Sequence, residues 1–448
     1  MLSLDDVGGI DISKFIKSNA TVLMLGVGGV SMSQLALAYK QAGLRVLGYD
    51  AHLSETVLNL KKQDVKVSNR WLKQMANADF CVRTGAIKDN NPILNNLKDN
   101  NIPVFDRAEA LADCLKHFKC VIAVAGTHGK STTSSLIYEM LKASNKKVSC
   151  HIGAEVSSPR FNLGDDYIVV EACEYNKSFL KLYPNISVVT NVEPEHLDSY
   201  NGSFSELQRA FGVFLSRAQK RFVFKENSTS FLSGRRNITF VELKHFEAKL
   251  KGEYNQKNIS LAVAVCSYLG VKKQAIDKVL LSFTGVPRRY EYIGNFNTTK
   301  CYIDYAHHPT EVKAFIEAFI LENPDALIVF QPHTYSRTKN FLKEFVSVFK
   351  NLKHICIFKE YPAREDRSAG IDARELCKIV KQQNANCFYA SHIKHLEKVI
   401  ESYPVVAFVG AGDIAIKAKH LVTWNFKITN FKKPLTKLFI WGIILTLV

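Results

Sequence analysis

The chain has 448 residues, enough for two to four domains at roughly 100–200 residues each, three being the central expectation. Hydrophobic residues make up 47% and charged residues 23%, which excludes a disordered, collagen-like or polytopic membrane chain. Lysine plus arginine is 59 against 42 for aspartate plus glutamate, so the net charge of +17 favours anionic partners; no basic run carries interleaved aromatics, which argues against a dedicated nucleic-acid surface.

The opening residues lack a charged stretch followed by a long apolar run, so they do not read as a signal peptide. From there, short apolar strands alternate with helical stretches, which predicts an α/β fold with parallel sheets covered on both faces. Strands are expected at 21–25, 45–49, 121–125, 168–170, 186–190, 301–303, 327–330, 355–358 and 405–409. Distinctive residues follow them: Gly26, Asp50, Gly126, Glu171, Asn191, Asp304, Gln331 and Gly410. Ligands of open parallel sheets bind beyond the carboxyl ends of the strands, so these are binding candidates on position alone. The ten cysteines form no CxxC pair and sit mostly in apolar runs, which reads as a reducing compartment rather than a disulfide or zinc framework.

Two glycine loops stand between a strand and a helix. Gly26-Val27-Gly28-Gly29-Val30-Ser31 is a dinucleotide-type fingerprint with serine in the third glycine place. Glycines let backbone approach a pyrophosphate at a helix N-terminus, and Asp50 lies where a ribose-binding acid would stand. A tight structural turn is the alternative. Gly126-Thr127-His128-Gly129-Lys130-Ser131-Thr132 is a partial P-loop, with Val124 where the first glycine would be. Its backbone N–H groups would cradle ATP phosphates, Lys130 would neutralise β/γ oxygens and Ser131 would hold Mg²⁺.

Glu171 lies where an acid would hold that Mg²⁺, and Glu193, Glu195 and His196 follow a later strand. Magnesium prefers oxygen ligands, so chemistry alone does not recommend His196. Two further clusters, Asp304-Tyr305-Ala306-His307-His308-Pro309 and Gln331-Pro332-His333-Thr334-Tyr335-Ser336-Arg337, end consecutive strands and suggest a negatively charged ligand. No spacing suits a covalent enzyme intermediate.

The loops, GTHGKSTT, EACEYNKSF, TNVEPEHLD, the GVPRRYEYIG linker, DYAHHPTE and FQPHTYSRT fall in an order that resembles the Mur ligases, over nearly the whole chain. The resemblance implies three domains: a Rossmann-like UDP-sugar domain (1–117), a central P-loop-type ATP and Mg²⁺ domain (118–286) and a Rossmann-like C-terminal domain (287–425) that completes the amino-acid site. It implies ATP-dependent addition of L-alanine to UDP-N-acetylmuramate through an acyl phosphate, in cytoplasmic peptidoglycan synthesis. By the same resemblance, Gly26, Gly28, Gly29, Ser31, Asp50 and Thr84 would take the UDP-sugar. Gly126 to Thr132, Asn255, Asn258, Arg289 and Asp304 would bind ATP, and Ser131, Glu171 and His196 would contact the metal. Lys130, His196, His307, His333 and Arg337 would be catalytic, with Tyr305, His333 and Arg337 around the amino acid. Tyr254 stands where the family has histidine, Ser31 replaces a glycine, and 224–251 is shorter than usual.

Other readings are a recycling ligase that adds a tripeptide to the same sugar, a nicotinamide oxidoreductase on the first loop, and an inactive scaffold. Residues 426–448 are basic, then apolar. Their last part, 435–448, reads as an interfacial anchor or partner-docking segment, or as an end of no function.

Overall fold

A computed structural model describes residues 19–52, 54–85, 87, 89–153, 161–227, 232, 237–363 and 365–431. The segment 435–448 lies outside them. Among the described residues no helix is long and apolar enough to cross a membrane.

Three sheets follow one another. The first contains β1 (Thr21–Leu25), β2 (Arg45–Tyr49), β3 (Lys66–Ser68), β4 (Phe80–Arg83) and β5 (Val104–Asp106), in the order β3-β2-β1-β4-β5. The second contains β6 (Cys120–Ala125), β7 (Val148–His151), β8 (Tyr167–Glu171), β9 (Ile186–Val189), β10 (Lys220–Phe224) and β11 (Ile238–Val241), in the order β11-β10-β9-β6-β8-β7. Both are wholly parallel. In each, the first strand lies between neighbours reached by opposite crossovers, so a crevice opens beyond its carboxyl end. Both glycine loops sit at such a point, one after β1 and one after β6.

The third sheet contains β12 (Glu291–Phe296), β13 (Thr299–Asp304), β14 (Leu327–Phe330), β15 (Ile355–Phe358), β16 (Cys387–Ala390) and β17 (Val405–Val409), in the order β12-β13-β17-β14-β15-β16. Only β12 runs antiparallel to its neighbour. The chain divides into two compact units, one ending at Val286 and the other starting at Pro287. Within the first unit, one apolar core serves both sheets, from Val22 and Leu111 to Val170 and Phe214.

Sequence patterning identifies β1, β2, β6, β8, β9, β13, β14, β15 and β17. It misses all six edge strands (β3, β5, β7, β11, β12 and β16) and the inner strands β4 and β10. These strands are short or carry polar residues, such as KVS in β3 and VFD in β5, and so show no apolar run. β12, with the sequence EYIGNF, is half-exposed along most of its length.

Core packing also places Glu174, the acid that follows β8. Phe179 is fully buried, with its N–H donating to the Cys173 carbonyl at 2.9 Å and ring centroids 5.1 Å from Phe211 and 5.2 Å from Phe214. Phe179→Ala should cost the first unit about 3–5 kcal/mol, read as an earlier midpoint in urea unfolding; an unchanged midpoint would show that this packing does not support the fold.

Candidate functional site

In the first sheet, the loop after β1 is tied to β2. Gly26 N–H donates to the Tyr49 carbonyl at 2.8 Å, and Gly28 N–H donates to Asp50 Oδ2 at 2.8 Å. Asp50 Oδ1 accepts from His52 N–H at 3.0 Å. Asp50 therefore holds the loop with Oδ2 and its own turn after β2 with Oδ1. A Cβ at Gly26, whose φ is +77°, would come within 2.4 Å of Thr84 Cγ2, so only glycine fits. Ser31 joins Arg107 and His151 instead of the loop backbone.

The loop after β6 is built more tightly. Gly129 caps the helix Lys130–Ala143 at φ +80°. A Cβ on Gly129 would meet Asn258 Oδ1 at 2.2 Å, and one on Gly126 would meet Thr190 Oγ1 at 2.0 Å. The turn after β9 holds the loop from outside. Asn191 Oδ1 accepts from His128 N–H at 2.8 Å, Thr190 Oγ1 donates to the His128 carbonyl, and Glu193 N–H donates to Thr127 Oγ1 at 2.9 Å. Asn258 accepts from Thr133 Oγ1 at 3.3 Å, while Asn255 donates to the Lys251 carbonyl at 2.7 Å. Both asparagines are thus buried and bonded within the protein, Asn258 against Gly129 of the loop itself.

Lys130 is the charge at the centre. Its ammonium donates to the carbonyls of Gly126 and Thr127 and to both Glu174 oxygens at 3.1 Å. The two side chains are 18% and 2% exposed. Burial disfavours the ammonium, but the neighbouring acidic groups, Glu174 foremost, together outweigh it and Lys130 titrates above the ordinary lysine value. Tyr200 fixes the same turn by donating to the Glu174 carbonyl at 2.6 Å.

Among the described residues, Glu174, Glu195 and His196 bring their ligand atoms within 4.8 Å of one another. Two carboxylates and one imidazole suit a hard divalent cation. His196 is held at φ +54° with its ring 5.2 Å from that of Tyr175. Glu171, the acid expected there, ends β8 with Oε2 beside Gly153. The chain then bends, and Glu174 reaches the lysine and the cluster. Sequence order pointed to the first acid after the strand; the turn that brings the second one inward is set by the Phe179 and Tyr200 packing. Ser131 lies half-buried in the first turn of the same helix as Lys130.

The second unit gathers its own cluster. His307 and His333 have ring centroids 5.7 Å apart, and Arg337 Nη1 lies 3.2 Å from His333 Nδ1. Thr334 has φ +68° and caps the helix Tyr335–Asn340, which turns Arg337 back towards His333. Arg288 and Arg289 lie over the Tyr305 ring, at 4.7 and 5.3 Å. Burial, opposed by Glu311 and aided by Arg337, lowers His307 to about 3; burial and Arg337 lower His333 to about 4. Both rings are therefore neutral at pH 7. Asp304 is 4% exposed and accepts from Tyr290 N–H at 2.8 Å and Ala306 N–H at 2.7 Å. Burial lifts its carboxyl to about 6 against the pull of Arg289. Its oxygens fasten the start of the unit, a task that the residue's place after a strand did not disclose.

Comparison with known proteins places these features in one family. Residues 21–119 match the Mur ligase family catalytic domain, 124–237 the Mur ligase middle domain, and 288–416 the Mur ligase glutamate ligase domain. The chain is 32% identical over 439 residues to the UDP-N-acetylmuramate–L-alanine ligase of Acetivibrio thermocellus, covering 88% of this chain and 93% of that one. It is 33% identical over 435 residues to the enzyme of the same name from Caldicellulosiruptor bescii, covering 87% and 95%. Its fold matches the crystal structure of UDP-N-acetylmuramate-alanine ligase from Thermotoga maritima with a TM-score of 0.77 at 23% identity, over 92% of this chain and 100% of that one. The chain belongs to the Mur ligase family.

Proposed function

We propose that this protein joins L-alanine to the carboxylate of UDP-N-acetylmuramate at the expense of ATP, releasing ADP and phosphate. The observation that carries the reading is the glycine-bounded loop holding Lys130 against Glu174, beside Glu195 and His196. The full-length relatives named for this activity support the same substrates. The place of the reaction is peptidoglycan precursor synthesis.

A carboxylate resists attack by an amine because its leaving group would be oxide. Phosphorylation of that carboxylate by ATP replaces oxide with phosphate, and the amine then displaces it to form the amide. Lys130 would spread the charge of the transferred phosphoryl group, the main source of catalysis in such transfers. Glu174, Glu195, His196 and Ser131 would hold Mg²⁺, which neutralises phosphate charge when bound. Gly26, Gly28, Gly29 and Thr84 would bound the UDP-sugar site, with Asp50 holding the loop's shape. Tyr305, His333 and Arg337 would receive the amino acid, with the guanidinium on its carboxylate.

The amine must lose a proton before it attacks. A peptide's α-amino group titrates near 8 and that of a free amino acid, beside its own carboxylate, higher still, so moving its proton to His307 or His333 in their present surroundings is uphill by at least roughly 5–7 kcal/mol. These rings therefore orient the amine as neutral hydrogen-bonding groups and leave the proton to solvent. Their depressed pKa values also act on stability. Each contributes stability above about pH 6.5 that is lost as pH falls towards its folded value of about 3 or 4.

Phosphate release from ATP should require both UDP-N-acetylmuramate and L-alanine; release with tripeptide in place of alanine would assign the recycling reaction instead. Lys130→Ala should lower turnover by about 10²–10³-fold or more while UDP-sugar binding persists, and turnover near wild type would remove the lysine from the chemistry. In a pH profile of kcat/KM, His307→Gln should lower the plateau and leave the acid limb in place. A displaced limb would make His307 the base.

A further inference from the structure

In the second unit, Arg337 stands on a turn that the local sequence cannot hold alone. Its helix, Tyr335–Asn340, is six residues long, and so short a helix has no stability of its own. The helix starts from Thr334 at φ +68° and ψ +148°, a backbone conformation that a branched side chain avoids. Contacts from outside the helix must therefore fix the turn and the direction in which Arg337 leaves it.

Glu365, in the loop after β15, makes the main contact. Its Oε2 accepts from Ser336 N–H at 2.9 Å and its Oε1 from the Ser336 hydroxyl. Tyr335 N–H and the Thr334 hydroxyl donate to it as well. Burial raises its carboxyl, yet these donors together hold it below the ordinary glutamate value. With the Thr334 proton turned to Glu365, the hydroxyl oxygen is left to accept from Arg337 N–H at 3.4 Å, so the carboxylate reaches the arginine backbone through one side chain. Neighbouring charges are engaged elsewhere. Glu360 accepts from the Tyr335 hydroxyl at 3.3 Å and from Ala373 N–H at 3.0 Å, and Arg367 pairs with Asp372 and Glu375. The same loop adds backbone support, with Thr334 N–H donating to the Tyr361 carbonyl at 2.9 Å and Ile371 N–H to the Tyr335 carbonyl at 3.3 Å.

We infer that Glu365 is a positioning residue for the amino-acid substrate, acting through Thr334 and Ser336 to set the direction of the Arg337 guanidinium. Resting on the ligase reading, this role deepens it: recognition of the amino acid then depends on a carboxylate from the loop after the next strand, at one remove from the substrate. A guanidinium meets a carboxylate by two parallel hydrogen bonds, and a tilt of its helix spoils that match without removing the charge. The cost of losing Glu365 therefore falls on L-alanine and spares the other two substrates.

Initial rates of phosphate release by the full chain, with each of the three substrates varied in turn, test this. Glu365→Ala should raise KM for L-alanine about tenfold and leave KM for ATP and UDP-N-acetylmuramate within about twofold. Glu365→Gln still accepts from Ser336 N–H, so it should raise KM for L-alanine only about two- to threefold; it serves the same comparison if the alanine variant does not fold. Arg337→Lys keeps the charge and gives up the fork, so in that background the change at Glu365 should cost less than in the unaltered chain. An unchanged KM for L-alanine overturns the role, as does an equal cost in both backgrounds. A rise in KM for all three substrates with a lowered unfolding midpoint also overturns it and makes Glu365 a structural cap. A wild-type chain whose phosphate release does not depend on L-alanine overturns the ligase reading, and this role with it.

Discussion

A buried ammonium sets the terms for the first unit. Lys130 cannot lie so far from water unless negative charge and carbonyl oxygens surround it. Gly126 and Gly129 supply the backbone shape that turns carbonyls inward, and no side chain fits at either position. Glu174 supplies the charge. The strand ends β8 and β9 supply the walls, because their following turns carry Glu174 and the Asn191–Glu193 clamp. The arrangement is a cation held ready by a replaceable partner: a nucleotide phosphate could take the place of Glu174, and Glu174 would then be available to a metal ion together with Glu195 and His196.

The second unit solves a different problem. Its histidines are kept neutral by burial, and its buried acid, Asp304, is spent on backbone donors. Under the proposed function, Arg337 and the two neutral imidazoles would meet an amino acid's carboxylate and amine, with little capacity for proton transfer at pH 7.

Much of this was legible in the residues. Nine inner strands and both glycine loops follow from apolar runs, six of them ended by glycine or an acid, since inner parallel strands are buried on both faces. The missed strands escaped because they are short or broken by polar and charged residues, as in KVS of β3, VSCH of β7 and KRFVF of β10. In the site, Lys130 and His196 were readable from motif position. Glu174 was not, because its role depends on a bend after β8 that packing on Phe179 and the Tyr200 bond create. Asp50 and Asp304 occupy places typical of ligand-binding acids, yet both oxygens of each accept from backbone N–H groups. Position after a strand marks an acid as important without saying whether a ligand or the chain itself will use it. Arg107 and His151 carried no motif signal, and only the fold brings them to Ser31.

The most direct test of the central claim is ATP affinity in wild type and Glu174→Gln, each measured with and without Mg²⁺. If Glu174 is the exchangeable partner of Lys130, the variant frees the ammonium. It should then bind metal-free ATP more tightly than wild type and gain little from added Mg²⁺. Weaker metal-free binding in the variant, or an undiminished gain from Mg²⁺, would contradict that exchange and reduce the Lys130–Glu174 pair to a structural contact.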